Sequence, residues 1–217
     1  MEISDVQDVR EDELNEHLNQ PFTLDELKEN INKLKNNKAS GLDGVKNEMI
    51  KCSSSIILDT VLSFFNLCLR VGIFSSSLCK GIINPIHKEG PRSDPESYRG
   101  ICLMNCLTKL LCSMMNERVY TFLQNNQTIN KAQIGFLKGN RTTDHILTLK
   151  AIINKYVHDG KGKLYACFVD FRKAFDSLSH QKLFLKMRKN GLNGNILKLL
   201  QNIYKNSSVK GALPGGY

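Results

Sequence analysis

Long apolar runs are missing from this sequence. None approaches the ~18–20 residues that a membrane-spanning helix requires, so a soluble chain with no membrane partner is expected. The C-x-x-C pair is missing as well, and no histidine stands at zinc-knuckle spacing from two cysteines. With seven cysteines, an odd number, scattered over positions 52, 68, 79, 102, 106, 112 and 167, a disulfide framework and a structural zinc are both excluded. A reducing, intracellular setting follows, nuclear or cytoplasmic. Cys106 and Cys112 fall in a helical pattern and Cys167 in a strand pattern, where small buried thiols are common. Positive charge is scarce at the start: Met1–Asn30 holds ten acids and two bases. That order is the reverse of a secretory or mitochondrial leader, and none is expected. Internal repeats and low-complexity tracts are absent too.

What is present is enough chain, 217 residues at 41% hydrophobic, for one domain or one and a half with a buried core. Beyond residue 30 the balance inverts to 28 bases against 11 acids. Such a body favours a polyanionic partner and steers it inward, although a merely well-solvated surface has the same composition. The acidic head reads as a loosely ordered leader over residues 1–22, or as a shield for the basic body.

The patterning predicts a helix-rich chain. Thr23 followed by Glu26 forms a capping box, and Leu24, Leu27, Ile31 and Leu34 share one helical face. Further helices are expected over 45–52, 56–70 (Ile57, Val61, Phe64, Phe65 and Cys68 inward, Gly72 closing it), 105–124, 142–157, 179–190 and 193–205. Gly81–Lys88 and Tyr98–Leu103 read as two strands of a hairpin with a polar tip, Pro85 making the first an edge or a bulged strand. Lys163–Val169 is a near-continuous apolar run read as a buried strand ending at Asp170.

That strand end carries the strongest chemical signal, Phe168-Val-Asp-Phe-Arg-Lys-Ala-Phe-Asp176. A carboxylate held rigidly at a strand end suits magnesium, which takes hard oxygen ligands from one or two carboxylates and from substrate phosphates. Taken alone, Asp170 is more often a turn or helix-start residue than a metal ligand, Asp176 a helix cap and Phe175 core.

Val169-Asp170-Phe-Arg-Lys-Ala-Phe175-Asp176 closely resembles the first palm motif of the reverse transcriptases of non-LTR retrotransposons. Three more segments follow that family's order. Lys38-Ala-Ser-Gly-Leu-Asp-Gly44 resembles its N-terminal element. Ile86-His-Lys88-Glu-Gly90 with Ser97-Tyr-Arg99-Gly-Ile101 resembles its paired fingers strands. Gln133-x-Gly135-Phe136 with Arg141-Thr-Thr-Asp144 resembles the next element. Together they span roughly residues 23–212. Ser40, Leu42 and Gly100 stand where proline is common in the family, and Leu137 where arginine is.

The resemblance implies an α+β fold, with helix-rich fingers carrying a β-hairpin (residues 23–160) and an incomplete palm sheet of the right-hand polymerase fold (161–217). It implies that Asp170 ligates the catalytic Mg²⁺ ions, joined by the backbone carbonyl of Phe171. Phe175 is then expected under the sugar of the incoming deoxynucleoside triphosphate, excluding a 2′-hydroxyl. Lys88 and Arg99 are expected on its phosphates, where a mobile ammonium and a planar guanidinium both serve; without the resemblance each reads as a surface cation. Lys38, Lys138 and Arg141 are expected on the RNA template and DNA primer backbone, with Gln133 and Gly135 near the template. The family's later Gln-Gly motif and its Tyr/Phe-x-Asp-Asp do not occur, and the sequence has no Asp-Asp dipeptide. Clamping two cations takes several carboxylates, so this chain alone is expected to bind Mg²⁺ weakly or not at all and to be inactive. Because it stops on Gly215-Gly216-Tyr217, a cut chain is expected, with the remainder of the polymerase domain as a partner. The rival readings are a non-catalytic RNA- or DNA-binding remnant, and a helical interaction protein with a helix, not a strand, around 163–170.

Overall fold

The computed structural model describes residues 15–160, 162–171, 174–175 and 177–211. They divide into two compact units, one made by the chain up to Phe122 together with the chain from Phe184 onward, the other by Leu123–Leu183.

The first unit opens with α1 (Glu16–Asn19) and α2 (Leu24–Lys33). Residues 15–22, read from the sequence as part of the leader, hold the wholly buried Leu18 and the buried Phe22. The capping box forms as expected: Thr23 Oγ1 accepts from the Glu26 N–H at 3.2 Å, and Glu26 Oε2 accepts from the Thr23 N–H at 2.7 Å. α3 (Asn47–Lys51) is short, and α4 (Ser55–Val71) ends at Gly72. Gly72 sits at φ +70°, where only glycine is unstrained, and its N–H returns to the Cys68 carbonyl. α4 packs on both α2 and α8 (Gly194–Asn206). Phe65 and Leu69 of α4, Leu110, Leu111 and Met114 of α5 (Cys106–Asn125), and Ile196 and Leu199 of α8 supply the core. Ile57, expected to face inward, is about half exposed.

Side-chain amides stitch distant segments to this core. Asn66 bonds both backbone groups of Phe22, at 2.6 and 3.0 Å. Asn19 Oδ1 accepts from the Ile196 N–H at 3.0 Å, satisfying one of the orphan donors at the start of α8. Arg118 of α5, itself buried, holds the entry to α2. Its guanidinium bonds both Glu26 oxygens at 2.7 and 2.8 Å, donates to the carbonyls of Gln20 and Pro21, and lies 4.2 Å from the centre of the Phe22 ring.

The sheet has the order β2-β1-β3, with β1 (Lys80–His87) antiparallel to β2 (Tyr98–Met104) and parallel to β3 (Ser208–Gly211). The hairpin is as expected, but β1 is the central strand rather than an edge. Pro85 is tolerated there for two reasons. The Lys88 N–H bonds the Ser97 carbonyl, so alternation makes Pro85–Gly100 a non-hydrogen-bonded pair, with the proline nitrogen turned away from β2. On its other side β3 pairs only as far as Ile83, so no ladder bond is lost among the described residues.

Gly41 explains part of the Lys38–Gly44 element. A Cβ on Gly41 would stand 2.3 Å from Asn105 Oδ1 and 2.6 and 2.7 Å from the Asn105 backbone, at the start of α5. The Gly44 N–H closes a turn onto the Gly41 carbonyl, with Gly44 at φ +70°. Gly41→Ala must displace backbone, and we expect it to cost about 1–3 kcal/mol. Urea unfolding measures this; a midpoint equal to the parent's contradicts it.

The second unit contains α6 (Thr142–Ile153), which continues as a π-helical segment, Asn154–Asp159. None of its described residues is buried. Here the strand expected over 163–169 does not form: residues 162–171 have no regular secondary structure, neither strand nor the helix of the rival reading. Tyr165, Phe168 and Val169 are 75–87% exposed. A strand exists only when another satisfies its N–H and C=O groups, and among the described residues the only ladders are those of β1. Lys163–Val169 therefore has the composition of a buried strand and, among the described residues, no neighbour to pair with. Cys167, expected to be buried, is exposed for the same reason. Cys106 is buried and Cys112 half-buried; loss of water pushes the Cys112 thiol up to about 11.

Candidate functional site

The β1–β2 hairpin brings two of the expected cations together. Ile86 pairs with Arg99, and Lys88 bonds across to Ser97, so alternation puts Lys88 and Arg99 on one face as diagonal neighbours. The opposite face carries His87 against Tyr98, edge to face at 5.2 Å. The tip between the strands is held by its own chemistry. His87 Nε2 lies 3.0 Å from the Gly90 carbonyl, Tyr98 donates its hydroxyl to the Arg92 carbonyl, and Asp94 accepts from the Glu96 N–H at the start of a short 3₁₀ turn, Pro95–Ser97. Lys88 pairs with Glu89 at 3.3 Å, both side chains more than 70% exposed. Such a pair is worth little and yields readily to a stronger anion. Arg99 is exposed and in no ion pair among the described residues. A rigid ribbon presenting an ammonium and a guanidinium on one face is chemically a phosphate grip. Lys38, also of the first unit, is exposed beside the Gly41–Gly44 turn.

The remaining expected residues belong to the second unit. Asp170 is exposed near the end of the irregular segment 162–171, followed by Phe171 at 73% exposure. Phe175, equally exposed, meets Phe136 edge to face at 6.1 Å. Phe136 is 90% exposed and sits at φ +64°, a costly conformation for an aromatic residue. Sequence reasoning gave Phe136 no role; a glycine before an aromatic in the Gln133–Phe136 element was the available signal. Gln133 donates its amide to the Gly135 carbonyl at 3.0 Å, so it shapes its own loop. The Arg141 N–H bonds Asp144 Oδ2 at 2.7 Å, which spends that carboxylate on the start of α6 and leaves the Arg141 side chain exposed. Lys138 is exposed as well.

The donor set fits a magnesium site only in part. Asp170 offers one carboxylate and the Phe171 carbonyl one further hard oxygen. Among the described residues no three of His, Cys, Asp and Glu gather to hold a cation. Asp176, read from the sequence as a helix cap, lies outside the described residues. A two-cation clamp is thus not assembled by these residues. No helix among the described residues is long and apolar enough to cross a membrane.

Residues 86–216, more than half of the chain, match the family model described as reverse transcriptase (RNA-dependent DNA polymerase). The chain is 32% identical over 188 residues to the RNA-directed DNA polymerase from the mobile element jockey of Drosophila funebris, covering 85% of this chain and 20% of that protein. It is 31% identical over 171 residues to the probable RNA-directed DNA polymerase from transposon BS of Drosophila melanogaster, covering 78% and 19%. It is 30% identical over 196 residues to the corresponding protein of the X-element of the same fly, covering 86% and 21%. The chain spans about a fifth of the length of these curated relatives.

Proposed function

Since the chain belongs to the reverse transcriptases of non-LTR retrotransposons, we propose that it supplies the nucleotide-gripping hairpin and the first metal-ligand segment of an RNA-directed DNA polymerase, and that by itself it does not polymerise. The observation that carries this reading is the placement of Lys88 and Arg99 on one face of the hairpin, at the start of the matched region. In the proposal residues 23–160 are fingers and 161–217 part of the palm, within an intracellular protein. Lys88 and Arg99 hold the triphosphate of a deoxynucleotide, and Phe175 lies under its sugar. Asp170 and the Phe171 carbonyl each give one ligand to Mg²⁺. Lys38, Gln133, Gly135, Lys138 and Arg141 line the path of RNA template and DNA primer. Reverse transcriptases normally use divalent metal; further carboxylates are needed before two such ions are held in register.

The test is primer extension on an RNA template with Mg²⁺ and deoxynucleotides. The purified chain is expected to give no product, and a longer protein that supplies the Asp-Asp motif is expected to extend the primer until Asp170→Asn abolishes extension. Template-dependent synthesis by the isolated chain refutes the inactivity, and an active Asp170→Asn protein refutes the metal assignment. A second reading, nucleic-acid binding without catalysis, is favoured by the 28 bases against 11 acids beyond residue 30.

A further inference from the structure

The last acid in the sequence is Asp176; from Ser177 to Tyr217 there is none, against seven lysines and arginines. The four quoted motif segments run from Lys38 to Asp176 and stop short of that stretch. In the folded chain all seven cations, on α7 (His180–Lys189), α8 and β3, are exposed. None is in an ion pair among the described residues. The elements packed on α8 bring acids of their own, Glu16 on α1 and Asp59 on α4, and neither pairs with these cations. Selection for solubility mixes the two signs on a surface; complete exclusion of one sign over folded helices is costly self-repulsion unless an anion relieves it.

The two helices also touch. Phe184, in the middle of α7, meets Tyr204 in the C-terminal half of α8 edge to face at 5.4 Å. Lys186, Arg188 and Lys189 occupy the C-terminal half of α7, and Lys205 that half of α8. The apolar side of α8 is spent on the core, with Ile196, Leu199 and Ile203 buried, so its lysines cannot turn inward.

We propose that, within the first unit, the cations of α8 and of α7 from Phe184 onward form a binding surface for the phosphate backbone of an RNA strand, read without regard to base sequence. The inference rests on the reading of the chain as part of an RNA-directed polymerase, and it moves the main backbone contacts from Lys38, Lys138 and Arg141 to Lys186, Lys189 and Lys205. Lysine suits this task, since a mobile point charge follows a backbone without fixing a register.

The experiment is fluorescence anisotropy with a labelled 20-nucleotide single-stranded RNA, titrated with the full 217-residue chain at several salt concentrations. Three phosphate contacts removed from a single strand lower the slope of log K against log salt by about 2, and weaken binding roughly 100-fold at 0.1 M salt. That is the result expected for the combined Lys186→Gln, Lys189→Gln and Lys205→Gln variant. The combined Lys38→Gln, Lys138→Gln and Arg141→Gln variant is expected to keep most of the parent's slope. Thermal unfolding of both variants, read alongside, separates lost binding from lost fold. The opposite ranking overturns the proposal and leaves the polymerase reading intact with its original backbone residues. Absence of salt-dependent RNA binding by the parent chain removes both.

Discussion

Replacing Arg118 by alanine is expected to lower the stability of the first unit by about 3 kcal/mol, because a half-buried carboxylate partner and two backbone carbonyls are left without their donor. Most ion pairs on a protein surface are worth far less. This one differs in being bidentate, in having a buried guanidinium, and in stacking that guanidinium on Phe22. The expected fall in Tm is roughly 10 °C, and a fall below about 2 °C shows the contact to be dispensable. The same site carries a pH dependence. Burial draws the Glu26 pKa upward, but hydrogen bonds from Arg118 and Thr23, with the Arg118 charge, outweigh it and hold the carboxyl below its usual value of 4.5. A bond from the Asn37 N–H lowers Glu48 likewise. A carboxylate with a depressed folded pKa contributes its stability above the unfolded value and loses it as pH falls through the folded one. Tm is therefore expected to hold steady from pH 7 to about 5 and to drop as pH falls below 4.5, with a shallower drop in the Arg118→Ala protein.

The second large effect is a contrast between aromatic residues. Phe65→Ala removes a wholly buried ring from α4 and is expected to cost about 3–5 kcal/mol. Phe136→Ala and Phe175→Ala remove rings that are 90% and 73% exposed, and each is expected to change stability by no more than about 0.5 kcal/mol. Urea unfolding followed by circular dichroism distinguishes them. Exposed rings that cost nothing to remove are not core of this chain, as a proposed role against a nucleotide sugar requires. A loss of 2 kcal/mol at Phe175 instead makes it an ordinary packing residue, and the nucleotide assignment falls.

The helices were legible because each carries its own instructions. The Thr23–Glu26 box, the apolar face of α2 and Gly72 act within a few residues of where they sit, and pattern reasoning reaches them. The hairpin was legible for the same reason, its two strands being neighbours in sequence. Features that depend on a distant partner were not. Lys163–Val169 has the composition of a strand, but composition cannot say whether a neighbouring strand is there to pair with. β3 was missed for the converse reason: Ser-Val-Lys-Gly is short and polar, and only its distant partner β1 makes it a strand. Arg118 stands among the apolar positions of α5 with nothing nearby to mark it as buried. Its partner Glu26 is 92 residues away. Of the candidate site, the residue types were readable from motif order. Which of them share a face was readable only where a two-residue period fixed it, as for Lys88 and Arg99.

β1 pairs with β3 in parallel, Lys80 opposite Ser208 and Ile83 opposite Gly211, and the second unit lies between them in the chain. The first unit is therefore a discontinuous body whose closing segments, α8 and β3, are made only after the second unit. On a ribosome adding roughly 5–20 residues per second, the buried faces of α1 and α4 and the open side of β1 wait several seconds for the elements that cover them. During that interval a nascent chain exposes Leu18, Phe65 and Leu69 to solvent and to chaperones. Interruption of synthesis anywhere in the second unit leaves the first one unsealed, so the fate of an unfinished chain is decided far from the residue at which it stopped.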